Sequence, residues 1–329
     1  MKQIIIDDEK PRRLVFYLAM EEYLARKEEE AFFIWQSSPT VIFGRNQVLE
    51  AEVNVKYCKE HNINIFRRKS GGGCVYSDEG NIMLSYITGN KEVQSAFDEY
   101  LQQLVEALCE LGIPAERSGR NDVLVQGRKV SGNAFYSAGG NSVVHGTLLF
   151  DTNLENMCHS ITPNLDKLKS KGVQSVRQRI TLLKDWISES DSVNDIVSLK
   201  AWLLGWFCSS SRVLTKDEVV EIEAIEQTYL DEDFIYGKDP VHSFVKEGRV
   251  EGVGTLCAEI TMAKGVVSSI ALSGDFFAVK EGLDSKLSAV LKGSRFCRED
   301  FEKNIGNFNV NEYIYKLESK NLLDLIFTE

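Results

Sequence analysis

The spacing of apolar residues divides the chain into helices and short strands. Residues 12–30 predict a helix, because apolar side chains between Leu14 and Ala25 recur on one face. Residues 92–111 predict a longer amphipathic helix, and Gly112 followed by Pro114 is the stop signal expected at its end. Both helices therefore need an apolar surface to pack against.

Runs of β-type residues lie between and after these two helices. They occupy residues 32–35, 40–43, 63–66, 74–87, 122–125, 129–136 and 142–150. Turn residues such as Gly127 and Asn141 separate the last three runs, which read as a meander. Because the strands follow one another in hairpins, the sequence predicts an α+β fold with a mixed, largely antiparallel sheet and packed helices.

The second half of the chain changes character twice. Residues 164–230 are expected to be mainly helical, and the continuously apolar run 202–207 predicts a buried helix. Residues 236–243 resemble the edge of a linker, since they contain a glycine and a proline. The pattern then restarts as two strands and two helices, at residues 250–263, 266–274, 281–293 and 297–305. We expect a large domain over residues 1–245 and a small α+β domain over 246–329.

Composition narrows the classes of function. The 329 residues include 38 Lys and Arg against 49 Asp and Glu, a net charge of −11, which disfavours nucleic acid or an anionic membrane as partner. No stretch approaches the ~20 apolar residues that span a bilayer, and no signal peptide is recognisable. Seven cysteines without a C-x-x-C pair and four histidines disfavour a disulfide framework or zinc site. We expect a reduced, cytoplasmic protein.

The segment RRKSGGGCVY at 67–76 carries the densest chemical signal. Three consecutive glycines let the backbone approach a ligand closely, and successive N–H groups can form an anion-binding nest. Arg67, Arg68 and Lys69 add positive charge to an otherwise acidic chain. A flexible hairpin tip with solvated basic residues is the alternative; a phosphate or carboxylate cradle is the interpretation we follow. The Walker A pattern is absent.

Two later segments add weaker signals. In SGRNDVLVQGRKVSGNAFY at 118–136, Lys129 begins a strand whose apolar run is interrupted by Ser131–Asn133, as happens where a strand lines a ligand site. An edge strand with a surface lysine is the alternative. In HGTLLF at 145–150, His145 and Thr147 share one face of a strand. Taken alone, that histidine is as compatible with a core or rim position as with catalysis.

Together these segments resemble the three signature blocks of lipoate–protein ligases, in the biotin/lipoate protein ligase superfamily. The blocks are RRKSGGGCVYSDEGNIMLS, GRNDVLVQGRKVSGNAFY and HGTLLFDTNL, and they occur here in the family's order. The resemblance extends to LAMEEY at 18–23, FGRNQ at 43–47, KSKGVQSVRQRI at 169–180 and the C-terminal domain. Cys74 stands where the family commonly has alanine, and Lys69 replaces a small polar residue.

The resemblance implies a two-step ATP-dependent reaction. Lipoate and ATP would give lipoyl-AMP and pyrophosphate, and the lipoyl group would then pass to a lysine. Lipoyl domains of 2-oxoacid dehydrogenase complexes, or the glycine-cleavage H protein, would supply that lysine. The first domain would be catalytic and bind lipoate and ATP, and the second would be accessory.

The resemblance also implies roles for individual residues. Lys129 would contact both the lipoate carboxylate and the α-phosphate, as an electrostatic clamp rather than a nucleophile. ATP and the adenylate would be held by Arg68, Gly73, Cys74, Val75, Tyr76 and Lys129. Gly72 and His145 would contact lipoate, and Asp122 would contact Mg²⁺. The positive charge that the nucleotide needs would be local, at Arg67, Arg68, Lys69, Arg128 and Lys129.

Two alternatives remain open at this point. One is a lipoyl or octanoyl transferase of the same superfamily, which works between carrier proteins through a cysteine thioester; the absence of cysteine between Cys109 and Cys158 argues against it. The other is a non-catalytic acyl-binding homologue, disfavoured by the intact glycine loop and Lys129. A biotin ligase is disfavoured because the glycine loop typical of that branch is missing.

Overall fold

A computed structural model shows two compact units, Met1–Ile235 and Tyr236–Glu329. It describes residues 1–8, 10–27, 30–89, 92–118, 121–161, 179–188, 192–237, 241–306 and 308–327. Residues 164–178 and 189–191 of the segment expected to be helical, and Gly119 and Arg120 of the G-R-N-D motif, lie outside these ranges. In the described ranges, no helix is both long and apolar enough to cross a bilayer.

The first unit is built from short strands and surrounding helices. Its strands are β1 (Lys2–Ile5), β2 (Glu30–Trp35), β3 (Thr40–Phe43), β4 (Asn64–Arg67), β5 (Val75–Ser77), β6 (Asn81–Thr88), β7 (Ala115–Ser118), β8 (Asp122–Val125), β9 (Arg128–Ala138), β10 (Asn141–Leu149) and β11 (Ser210–Val213). Its helices are α1 (Leu14–Lys27), α2 (Leu49–Glu52), α3 (Val55–Glu60), α4 (Val93–Glu110), α5 (Leu154–Ser160), α6 (Ile196–Phe207), α7 (Lys216–Leu230) and α8 (Glu232–Ile235), with a 3-10 turn at Leu183–Trp186.

Eight of these strands form one mixed sheet in the order β11-β1-β2-β6-β10-β9-β8-β7. Strand β1 pairs in parallel with both β11 and β2. The other five neighbouring pairs, in the series β2-β6-β10-β9-β8-β7, are antiparallel. A smaller sheet, β4-β3-β5, carries the strands on either side of the glycine loop. The expected α+β fold with a mixed, largely antiparallel sheet is confirmed.

The central strands of the large sheet are buried on both faces, because their successive side chains enter two different cores. Phe33 and Met83 join the core that contains α1, whereas their neighbours Phe32 and Ile82 join the core that contains α4 and α6. Every residue of β6 is buried. This explains why β6 is almost continuously apolar rather than alternating.

Two expectations for the first unit were wrong in part. Residues 210–213 form strand β11 within the segment expected to be helical. Its pattern is weak because it is a short, largely exposed edge strand held by parallel pairing to the distant strand β1. Helix α6 buries only the face of Leu199, Leu203 and Phe207, and Trp206 is 38% exposed, so the apolar run does not make a fully buried helix.

The second unit has its own sheet and core. Its strands β12 (His242–Val250), β13 (Gly254–Ala263) and β14 (Val266–Asp275) form an antiparallel meander. Its helices are α9 (Leu283–Leu291), α10 (Arg298–Ile305) and α11 (Ser319–Phe327), with a 3-10 turn at Val310–Glu312. The sequence pattern missed β12, whose exposed and half-buried residues alternate without a strong apolar face. Because β12 crosses the expected boundary at residue 245, the chain divides about ten residues earlier.

Candidate active site

A cavity of about 100 Å³ opens between α1, the glycine loop and the large sheet. One part of its wall is apolar and comprises Leu14, Leu18, Trp35, Ile42, Val75 and Met83. The other part carries the polar groups of Arg68, Asn121, Lys129, Asn133, His145 and Thr147. Trp35 also lines a second cavity, of about 400 Å³, next to β1.

The sheet register orders these groups from apolar to charged. Trp35 pairs with Met83, Met83 with Thr147, Thr147 with Gly132, and Gly132 with Asp122, across five neighbouring strands. At ~4.8 Å per strand, the row from Trp35 to Gly132 spans about 14 Å. A ligand lying along this row would meet aromatic and thioether groups at one end and charged groups at the other.

Lys129 reaches the charged end of the row because β9 contains a bulge. The pairing of β8 with β9 shifts by one residue between Val123 and Leu124, leaving Val130 as the extra residue. The bulge puts Lys129 on the same face as Gly132, although they are three residues apart. Its Nζ lies 2.7 Å from Asp122 Oδ1. A Cβ on Gly132 would lie 2.7 Å from that Nζ, so the glycine leaves the space that the ammonium group uses.

Two asparagines close the cavity beside Lys129. Asn133 N donates to Asn121 O at 3.0 Å, and Asn121 Nδ2 donates to Asn133 O at 2.9 Å. Asn133 Nδ2 also donates to Asn121 O and to Ser131 Oγ, at 3.1 Å each. A Cβ on Gly146 would lie 1.8 Å from Asn133 Oδ1. The polar residues that interrupt the apolar run of β9 therefore hold Asn121 against the sheet.

The glycine loop is folded around the side chain of Arg68. Arg68 is 5% exposed, and its Nη2 donates to Gly71 O at 2.7 Å and Gly73 O at 2.6 Å. Nη1 donates to Ile42 O at 3.1 Å. Burial lowers the pKa of Arg68 to about 10, so the group stays positively charged near neutral pH. Arg68 thus both shapes the loop and places a positive charge on the cavity wall.

Within the loop, only Gly72 needs to be glycine for its own conformation, since its φ is +91°. A Cβ on Gly71 or Gly73 would meet nothing within 4 Å. In the described part of the chain, the N–H groups of residues 71–74 donate to no protein acceptor. Open space and available N–H groups are what an anion-binding nest requires.

The other two members of the basic triplet point away from the cavity. Arg67 is fully buried, donates to the carbonyl oxygens of Ile235, Arg45 and Gln47 at 2.9 Å each, and stacks on the Phe43 ring. Lys69 is paired with the buried carboxylate of Glu22 and lies 4.5 Å from the Tyr229 ring centre. The expectation that Arg67, Lys69 and exposed Arg128 would add charge at the cavity is not met.

His145 and Cys74 line the cavity, but both are constrained by burial. Each ring nitrogen of His145 has a protein partner, Glu21 Oε2 at 2.8 Å and Ser70 Oγ at 2.7 Å. Burial raises the pKa of the Cys74 thiol to about 12, so it remains a neutral thiol near pH 7. Neither group is poised as a base or nucleophile.

The structure therefore brings together Arg68, Gly72, Gly73, Cys74, Val75, Lys129 and His145, with Asp122 beside Lys129. Tyr76 is not among the residues that line the cavity; its ring is buried in the core and its backbone pairs with Val41. The apolar wall, above all Trp35 and Met83, was not found from the sequence. Ordinary core residues and pocket residues have the same apolar pattern, so the sequence contained no signal for it.

The fold and the cavity define an α+β domain that can hold a ligand with an anionic end and an apolar tail. The family model "lipoyl protein ligase A/B catalytic domain" matches residues 14–200, and "bacterial lipoate protein ligase C-terminus" matches residues 239–326. The chain thus belongs to the lipoyl protein ligase A/B family, and to those of its members that carry the lipoate protein ligase C-terminal domain. The resemblance read from the sequence is confirmed.

Individual relatives agree with this assignment. The chain is 31% identical over 322 residues to lipoate-protein ligase LplJ of Bacillus subtilis, covering 94% of this chain and 96% of the relative. Two solved structures share the fold over 71% of this chain. One is a bi-partite lipoate protein ligase described with its E2 lipoyl domain, from Thermoplasma acidophilum (TM-score 0.63, 23% identity, 95% of that chain). The other is a lipoate-protein ligase A bound with ATP (TM-score 0.60, 22% identity, 97% of that chain).

Proposed function

We propose that this protein is a lipoate–protein ligase, which activates lipoate with ATP and transfers the lipoyl group to a protein lysine. The observation that carries the proposal is the row across the sheet that runs from Trp35 and Met83 to Lys129 and Asp122. An acyl chain with a terminal carboxylate has the same order of apolar and charged groups. The relatives named above support the substrate.

In the first step, a lipoate carboxylate oxygen attacks the α-phosphorus of ATP, and the bond to the pyrophosphate leaving group breaks. Negative charge grows on the non-bridging oxygens, and the ammonium of Lys129 and the N–H groups of residues 71–74 would stabilise it. Lys129 acts through its positive charge and forms no covalent bond. Asp122 holds its Nζ in place at 2.7 Å.

In the second step, the ε-amine of an acceptor lysine attacks the carbonyl carbon of lipoyl-AMP, an amide forms, and AMP leaves. We propose lipoyl domains of 2-oxoacid dehydrogenase complexes as acceptors, supported by the E2 lipoyl domain described with the Thermoplasma ligase. The H protein of glycine cleavage is a second proposed acceptor. The first unit would carry both steps, and the second unit would be accessory.

Magnesium fits this site only as a partner of the nucleotide. In the described residues no group of three or more His, Cys, Asp and Glu side chains could hold a metal ion. Asp122 is a single carboxylate already paired with Lys129. Mg²⁺ is commonly held by one carboxylate, water and the substrate's phosphates, and it would help to neutralise the triphosphate. Asp122 is our proposed protein ligand.

A cytoplasmic location is part of the proposal. The seven cysteines all lie in described residues and none of them forms a disulfide bond, which supports a reducing compartment. The transferase alternative is not supported, because among the described residues Cys74 is the only cysteine on the cavity wall and its pKa is raised.

One reconstitution tests the proposal. Purified protein, lipoate, ATP, Mg²⁺ and an apo lipoyl domain are combined, and the domain is weighed by mass spectrometry. We expect a lipoyl mass increase that requires ATP and is accompanied by pyrophosphate release. No increase would contradict the ligase function, and an equal increase without ATP would favour a transferase.

The role of Lys129 is tested by Lys129→Ala, which should abolish pyrophosphate release while the protein stays folded. Lys184→Ala is the matched control, since Lys184 is also a partly exposed lysine paired with an aspartate, Asp151, but does not line the cavity. Wild-type rates in Lys129→Ala, or an equal loss in both variants, would overturn the assignment.

A further inference from the structure

A buried chain of hydrogen bonds connects helix α1 with the glycine loop. Glu21, in α1, is fully buried although it is ionisable, and its Oε2 lies 2.8 Å from His145 Nδ1. His145 Nε2 lies 2.7 Å from Ser70 Oγ, and Arg68 Nε donates to Ser70 Oγ at 3.0 Å. Each of these four residues is at most 8% exposed. The chain therefore runs from a carboxylate to a guanidinium entirely inside the protein.

The donors and acceptors along this chain can be ordered in one direction. A carboxylate only accepts, so Glu21 receives the proton of His145 Nδ1. It also receives the hydroxyl protons of Ser85, at 2.6 Å, and of Tyr136, at 3.3 Å. His145 Nε2 of that neutral tautomer is an acceptor, and it takes the hydroxyl proton of Ser70. Ser70 Oγ can then accept from Arg68. Arg68 Nε also donates to Gly71 O, at 3.2 Å. Every donor and acceptor along this series of hydrogen bonds therefore has a partner.

This series of hydrogen bonds ends at Arg68, the residue that shapes the glycine loop. The Nη2 of Arg68 holds the carbonyl oxygens of Gly71 and Gly73, and these bonds fix where the N–H groups of residues 71–74 point. In the described part of the chain, no carboxylate lies within salt-bridge distance of Arg68. Glu21 is the anion to which its hydrogen bonds lead, through Ser70 and His145.

We propose that Glu21 and His145 are positioning residues that hold Ser70 and Arg68, and through them the glycine loop, in the conformation that binds the ATP phosphates. This rests on the proposed function. His145 has no free ring nitrogen for the ligand, so its effect passes through Ser70. This relay, the series of hydrogen bonds from Glu21 through His145 and Ser70 to Arg68, fixes the glycine loop before ATP binds. The binding of ATP then requires less ordering of the loop backbone.

The test compares Ser70→Ala and Glu21→Gln with a control, Ser85→Ala, by initial rates of pyrophosphate release against ATP concentration. Ser85 donates to the same carboxylate as His145 does, but to the other oxygen, Oε1, and in the described residues no hydrogen bond links Ser85 to Ser70 or Arg68. We expect the KM for ATP to rise about ten-fold in Ser70→Ala and in Glu21→Gln, with kcat nearly unchanged. Ser85→Ala should change the KM for ATP less than about two-fold.

The double variant separates a relay from a merely structural role. If Glu21 and Ser70 act through the same series of hydrogen bonds, the double variant Glu21→Gln/Ser70→Ala should raise the KM for ATP no more than the more severe of the two single variants does. The relay would be overturned if the single-variant increases in the KM for ATP multiplied in the double variant. It would also be overturned if the KM were unchanged in the single variants, or if Ser85→Ala raised the KM as much as they do. Thermal unfolding checks that each variant is folded, and His145→Gln replaces Glu21→Gln in the cycle if the latter does not fold. A wild-type protein that releases no pyrophosphate would instead refute the proposed function.

Discussion

Gly132→Ala should impair catalysis while leaving the fold nearly intact. The added Cβ would lie 2.7 Å from Lys129 Nζ and 2.8 Å from Cε, against 3.4–4 Å for an ordinary contact. The clashing atoms are the end of a flexible side chain, so Lys129 can move aside. Breaking its pair with Asp122 costs little, because both side chains are about one third exposed, 38% and 33%. We expect the free energy of unfolding to fall by less than about 1 kcal/mol.

The effect on the first half-reaction should be much larger. A displacement of about 1 Å in a positioning group can cost about 100-fold in rate, or ~2.7 kcal/mol in the barrier. Pyrophosphate release with saturating lipoate and ATP measures this directly, and chemical denaturation measures stability.

Gly80→Ala is the matched control, because its Cβ would lie 2.1 Å from the backbone oxygen of Asp151, which cannot rotate away. It should lose about 1–3 kcal/mol of stability but keep the rate per folded molecule. A wild-type rate in Gly132→Ala, or a stability loss equal to that of Gly80→Ala, would refute this explanation of the glycine.

Three further predictions concern other parts of the first unit. Because Trp35 lines both the cavity and its 400 Å³ neighbour, Trp35→Leu should raise kcat/KM for saturated acids longer than lipoate by about ten-fold; unchanged selectivity in a competition assay would contradict this. Burial raises the pKa of Glu226 above its ordinary 4.5, so the folded state holds this proton more tightly than the unfolded state does. The free energy of unfolding therefore falls as pH rises from 4.5 through the raised pKa. Glu226→Gln should therefore raise the Tm at pH 7, and the gain should vanish as pH falls below 4.5; a gain independent of pH would show that charge is not the cause. Near neutral pH, iodoacetamide should label exposed Cys109 long before Cys74, whose pKa is about 12, as peptide mass spectrometry can show; equal labelling would contradict the burial of that thiol.

The sequence predicted the parts of the site that depend on local pattern. The glycine loop, Lys129 and His145 were found because runs of glycine, interruptions of an apolar strand and isolated polar residues can be recognised in the amino-acid sequence. It could not predict which basic residues face the ligand. Arg67 and Arg68 are adjacent at the end of β4, so their side chains leave on opposite sides, and only the tertiary fold decides which side holds the cavity.

The remaining misses have the same origin in long-range packing. Trp35 and Met83 reach the cavity wall through strand register, which pairs residues 48 positions apart. Glu21 lies in a helix whose other buried residues, apart from Glu22, are apolar or aromatic, and LAMEEY alone does not show that the carboxylate of Glu21 is buried against His145. Strands β11 and β12 were missed because each is an edge strand with little apolar alternation.

The contact of Arg67 with Ile235 has a practical consequence for dividing the protein. Ile235 is the last residue of the first unit, and its carbonyl oxygen accepts from the fully buried Nε of Arg67. An expression fragment that stops a few residues earlier would withdraw that acceptor from a buried cation, at a cost of about 1–3 kcal/mol. The end of α8, rather than the end of the longer helix α7, is therefore the earliest point at which the N-terminal portion can be cut for separate study.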